Sequence, residues 1–127
     1  MNRLVTVDLP IELTNGNDGR GSKWFSSAKL RKQYAVVLRS VPQHKFDCPT
    51  TNIVTRVLGK NQRLWDSSSI GRGNWKEIED SLVELGWWVD DSPKYIVQTD
   101  FRQDATMRDK GPFTRLEVFA ATVPVNV

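Results

Sequence analysis

The segment from Asn74 to Gly86 is punctuated as a helix at both ends, and that constrains the chain more than any other feature. Asn74 followed by Glu77 has the N-x-x-E spacing of a capping box, which predicts a helix starting near Trp75. Gly86 after Leu85 suits the left-handed residue that ends one. Trp75, Ile78, Leu82 and Leu85 recur at helical spacing on one face. Trp87, Trp88 and Val89 then read as the start of a strand that closes at Asp90-Asp91-Ser92-Pro93. Such a helix is about 16 Å long at ~1.5 Å per residue, so a strand returning beside it would carry Asp90 and Asp91 back towards Asp66.

The rest of the chain supplies strands and one more helix. Leu4 to Leu9 alternates and is closed by Pro10, which reads as a first strand. Residues 14–23 hold three glycines and form a turn-rich loop carrying Arg20 and Lys23. Ala28 to Leu38 has a helical pattern, with Ser26 or Ser27 as cap and Leu30, Tyr34, Val37 and Leu38 as its apolar side. Asn52 to Leu58 reads as a second strand, with Val54, Arg56 and Leu58 on one face. Tyr95 to Phe101 and Thr114 to Ala121 read as the last two, joined as a hairpin. The order predicts one α+β domain over residues 1–127: a small mixed sheet with two helices on one face, and a disordered tail at 122–127.

Length and composition narrow the classes. A chain of 127 residues fits one domain. It has no apolar run long enough to span a membrane and no signal-peptide pattern, and one cysteine, Cys48, allows no internal disulfide; a cytoplasmic protein is the simplest expectation. Residues 1–65 carry 11 Lys/Arg against 4 Asp/Glu, and residues 66–127 carry 7 against 11. A basic half joined to an acid-rich half suits a polyanion-binding surface beside a metal site, although clustering on a solvated surface gives the same count.

Asp66, Asp90 and Asp91 gathered around Lys76 are the groups that a Mg²⁺-dependent phosphodiester hydrolase needs. Carboxylates hold the hard cation, and a lysine offers a compact charge to a phosphate oxygen. The plainer readings stand beside this one. Lys76 and Asp80 are i, i+4 and make a surface ion pair; Asp66-Ser67 is a cap or turn; Asp90 to Pro93 is a turn. His44 and Cys48 are one histidine and one cysteine, too few for a tetrahedral zinc site.

The run Lys76 to Asp91, K-E-I-E-D-S-L-V-E-L-G-W-W-V-D-D, resembles the core of the RusA family of Holliday junction resolvases, crossover junction endodeoxyribonucleases common in phages. In that family an Asp-x-Asp-Asn pattern precedes a helix lysine and an aromatic-rich segment ending in Asp-Asp. Leu9-Pro10, Phe25-Ser26 and Arg115 to Val118 extend the likeness in outline over most of the chain. The resemblance implies a homodimeric α+β nuclease in a bacterial or phage-infected cell that cuts four-way DNA junctions with Mg²⁺. It implies Asp66, Lys76, Asp90 and Asp91 as catalytic residues, with Asp66, Asp90 and Asp91 on the metal. Phosphate contacts are expected from Arg20, Lys23, Lys29, Arg31, Lys32 and Arg72.

One departure matters. The second acid of Asp-x-Asp is Ser68, and the spacing to Lys76 is four residues longer, with Ile70 to Gly73 as the insert. A neutral hydroxyl is a weaker Mg²⁺ ligand than a carboxylate. The alternative is therefore a branched-DNA-binding protein of the same fold with weakened or lost catalysis. A further alternative is an accessory protein that uses the same dimer to bind another protein.

Overall fold

The computed structural model describes residues 3–16 and 26–121. The loop positions Arg20 and Lys23, Trp24 and the tail at 122–127 lie outside them. The elements are β1 (Arg3–Leu9), α1 (Ser27–Leu38), β2 (Thr50–Val57), a 3-10 turn (Ile70–Arg72), α2 (Trp75–Glu84), β3 (Ile96–Asp104) and β4 (Phe113–Ala120). This is a small α+β fold with a four-stranded mixed sheet and two helices.

The strands lie in the order β1-β4-β2-β3. β4 runs antiparallel to both β1 and β2, and β2 is parallel to β3. The expected terminal hairpin is therefore absent: β3 and β4 are separated by β2. β2 is buried along nearly its whole length, so it needs a strand on either side. The parallel partner β3 is reached through α2, as a crossover requires. Val7, Leu116, Val54 and Phe101 stand in one register row across the sheet. Leu38 of α1 and Ile78 and Leu82 of α2 join the same apolar cluster.

Ser26 caps α1 through its hydroxyl, which accepts from the Lys29 N–H at 3.2 Å. At α2 the expected capping box does not form. Asn74 precedes the first helical residue, but its side chain makes no cap bond. Its Oδ1 accepts from the Thr14 N–H at 2.9 Å, and its Nδ2 donates at 2.9 Å to both the Glu12 carbonyl and the Tyr34 hydroxyl. Three long-range partners outcompete a local one, and Asn74 becomes the pin between the Glu12–Thr14 strap, α1 and α2. Gly73 beside it lies so close to the strap that an added Cβ would sit 1.8 Å from the Thr14 carbonyl oxygen.

The C-terminus of α2 follows expectation. Gly86 has φ 93°, its N–H donates to the Val83 carbonyl at 2.9 Å, and the Trp87 N–H donates to the Leu82 carbonyl at 3.1 Å. This is the Schellman pattern. The strand expected at Trp87 to Val89 does not form; the segment is a bent return. Trp87 and Trp88 are buried with Phe46 in an aromatic cluster, while Val89 is exposed. Their indole N–H groups donate to Gln43 Oε1 and Thr50 Oγ1, both at 3.0 Å, so burial leaves neither unsatisfied. Trp75 is also core.

Candidate functional site

The Schellman turn and the buried tryptophan pair send the chain back along α2, from its C-terminus towards its first turn. Asp91 thereby meets Lys76, although the two are 15 residues apart. Lys76 Nζ donates to Asp91 Oδ2. It also lies 3.1 Å from Asp80 Oδ1 and 3.9 Å from Glu79 Oε1, its i+4 and i+3 neighbours on the helix. The surface pair Lys76–Asp80 thus exists, as one part of a larger group. One oxygen from each of Glu79, Asp80 and Asp91 lies within 4.8 Å of the others, the one such group of three among the described residues.

The group is electrostatically strained. Three carboxylates face one ammonium, and the Glu79 side chain is only 12% exposed. Burial raises the Glu79 pKa above the usual carboxylate range, opposed by the charge of Lys76 and the Trp75 indole and reinforced by the charge of Asp80. Three hard oxygen donors of this kind fit a small divalent cation such as Mg²⁺, which completes its shell with waters.

The other expected ligands stand apart from this group. Asp90 Oδ1 accepts from the Ser92 N–H at 2.7 Å, and its pKa is lowered by its bonds to Ser92. Asp66 is exposed, and its carbonyl accepts from the Ser69 N–H at 2.9 Å in the turn that leads to Ile70–Arg72. Ser68, standing where the resemblance places a second acid, is held by Arg72: Nε donates to its carbonyl at 3.1 Å and Nη2 to its hydroxyl at 3.4 Å. The insert forms the 3-10 turn, with Gly73 at its end.

Among the expected phosphate contacts, Lys29 and Lys32 are exposed on α1. Arg31 is half-buried: its Nε is enclosed without a hydrogen-bond partner, and its carbonyl accepts from Ser81 Oγ of α2 at 2.9 Å. Arg72 is turned onto Ser68.

Two groupings escaped sequence reasoning. Glu79 and Asp80 were visible as i+3 and i+4 neighbours of Lys76, the signal that would have found them. Arg56 sits in the apolar stripe of β2, where a lone charge is itself a signal. Only 4% exposed, it lies 3.5 Å from the Trp65 ring centroid and donates to the Arg63 carbonyl at 2.9 Å and Gln103 Oε1 at 3.0 Å. Gln103 in turn accepts from the Trp65 N–H and donates to the Trp65 carbonyl, both at 2.9 Å.

No protein-family model and no curated protein matches the chain.

Proposed function

We propose that this protein is a Mg²⁺-dependent, structure-selective DNA endonuclease of the Holliday junction resolvase type, acting in the cytoplasm of a bacterial or phage-infected cell. The contact between Lys76 and Asp91 carries the reading. The resemblance pairs a helix lysine with an acidic dipeptide distant in sequence, and the fold brings Lys76 against the second acid of that dipeptide, Asp91.

Glu79, Asp80 and Asp91 are the residues that would hold Mg²⁺, and the ion would supply Lewis-acid polarisation of a phosphoryl group and a more acidic bound water. Lys76 offers its ammonium to a non-bridging phosphate oxygen, the place where charge builds during cleavage. Asp66 stands outside this group, and its exposed carboxylate would act on the substrate or on a bound water from the turn that leads into α2, not as a fourth member of the cluster. Lys29 and Lys32 on α1 hold the phosphate backbone without reading bases. A four-way junction presents two related strands, so a homodimer offers two matching sites. Its interface would not draw on Trp87 and Trp88, which are inside the protomer; among the described residues the exposed large apolar side chains are Leu4, Val36, Val37, Leu64 and Val89.

A second reading, junction binding without cleavage, is favoured by one observation. Ser68 replaces an acid, and its hydroxyl and carbonyl are both engaged by Arg72. Incubating the protein with a synthetic four-way junction and a linear duplex of the same sequence, with Mg²⁺ or with EDTA, separates the two. Cutting of the junction alone, with Mg²⁺ alone, supports the nuclease. A junction-selective gel shift with no cutting supports the binder, and no preference for the junction overturns both.

A further inference from the structure

The chain between β2 and the 3-10 turn lacks regular structure yet is held by side chains that sequence patterning assigns no role. Gln103 of β3 pairs with both backbone groups of Trp65, as a neighbouring strand would, at 2.9 Å each. The Arg56 guanidinium lies against the Trp65 ring and donates to the carbonyl of Arg63 and to Gln103. The next peptide carries Asp66, whose own carbonyl is fixed by the Ser69 N–H. The backbone of Asp66 is therefore tied on both sides while its carboxylate stays exposed.

A buried arginine is a costly way to fill space, because a well-packed apolar side chain there is often neutral or stabilising. Burial lowers the Arg56 pKa despite the opposing charge of Glu12. What the polar arrangement adds is direction. The bond to the Trp65 N–H holds the Leu64–Trp65 peptide and the bond to the Trp65 carbonyl holds the Trp65–Asp66 peptide, an orientation that apolar packing does not impose. We propose that Arg56 and Gln103 are positioning residues that hold the Arg63–Asp66 segment in one conformation and so set where the Asp66 carboxylate is presented. The catalytic part of this inference rests on the nuclease reading; the conformational part does not.

The test uses the full chain with Gln103→Leu, Gln103→Glu, Arg56→Met, Asp66→Asn and the double variant Asp66→Asn/Gln103→Leu. Gln103→Glu keeps an acceptor for the Trp65 N–H and Arg56 and loses the donor to the Trp65 carbonyl, so it serves if Gln103→Leu fails to fold. Amide hydrogen exchange at Trp65 and Ser69 should quicken by about tenfold or more in Gln103→Leu, with β2 and β3 amides unchanged. Junction cleavage should fall roughly 10- to 100-fold, as mispositioning of a reacting group does, with junction affinity within about twofold of wild type. The double variant should be no slower than Asp66→Asn alone, because both changes remove the same contribution. Losses that multiply, unchanged exchange at Trp65 in Gln103→Leu, or, where Gln103→Glu stands in, unchanged exchange at Ser69 overturn the proposal. If wild type does not cut junctions at all, the nuclease reading fails, and exchange at Trp65 and Ser69 alone decides the clamp: quickened at both upholds it, unchanged refutes it.

Discussion

Replacing Asn74 separates a helix cap from a tertiary pin. Asn74 is 5% exposed, and its side chain serves three partners: the Thr14 N–H, the Glu12 carbonyl and the Tyr34 hydroxyl. Asn74→Ala removes all three bonds. A buried polar group left unpaired costs ~1–3 kcal/mol. These partners are only partly buried and the Tyr34 hydroxyl can turn to water, so the low end applies, about 1 kcal/mol each and about 3 kcal/mol together. At about 2.1 cal/mol/K per residue, a chain of 127 residues loses about 4 °C in Tm per kcal/mol, so the melting point should fall by roughly 12 °C. Asn74→Asp is the decisive partner. Aspartate caps helices as well as asparagine, so a cap would tolerate it. An ionised carboxylate has no donor for the Glu12 carbonyl and would be buried beside it, so the pin should lose about 2 kcal/mol or more. Urea and thermal unfolding monitored by tryptophan fluorescence measure both. If Asn74→Asp matches wild type within about 0.5 kcal/mol while Asn74→Ala loses ~1 kcal/mol, the side chain acts as a cap and the reasoning is refuted.

Glu79→Gln should stabilise the metal-free protein at neutral pH. The Glu79 pKa is raised in the folded state, so its ionisation costs stability as pH rises through that pKa; the gain should vanish below the unfolded carboxyl range, about pH 4. Unfolding in urea with EDTA across pH shows this, and a gain that grows towards acid contradicts it. Lys32→Ala should lower the log–log salt slope of junction binding by about one unit without moving Tm, whereas Arg31→Ala should also lower Tm because it truncates a half-buried side chain of α1. Ser68→Asp should raise Tm in a Mg²⁺ titration more than wild type if the loop reaches the metal, by mass action on the native state. A mutant that is destabilised and gains no Mg²⁺ response places this loop away from the ion.

Local structure was legible and its assembly was not. The alternation from Leu4 to Leu9, the helical spacing from Ala28 to Leu38 and from Trp75 to Leu85, the Ser26 cap and the Gly86 stop all depend on near neighbours, and all appear in the fold. Strand order depends on which surfaces meet, so β3 and β4 looked like a hairpin until β2, buried on both faces, took the place between them. Trp87 and Trp88 looked like a strand because burial of aromatic residues resembles strand patterning; they are buried with no ladder beside them. At the candidate site, the approach of Asp91 to Lys76 followed from one helix and a returning segment. Asp80 reads in the sequence only as a surface partner of Lys76, and Glu79 carries no signal beyond its i+3 spacing, because acids so placed beside a lysine usually mean only a solvated face. Arg56 and Gln103 sit opposite each other on β2 and β3, a register that no local pattern reveals.

The central claim is that Lys76 and Asp91 belong to a working metal-dependent phosphodiesterase site. Mg²⁺-dependent cleavage of a four-way junction by wild type and by Asp91→Asn, with junction binding measured in parallel in Ca²⁺, tests it most directly. The account predicts cutting by wild type, a loss of at least about 100-fold in Asp91→Asn, and equal binding by both, since Asp91 acts on the reaction and not on the DNA backbone. Undiminished cutting by Asp91→Asn would contradict it.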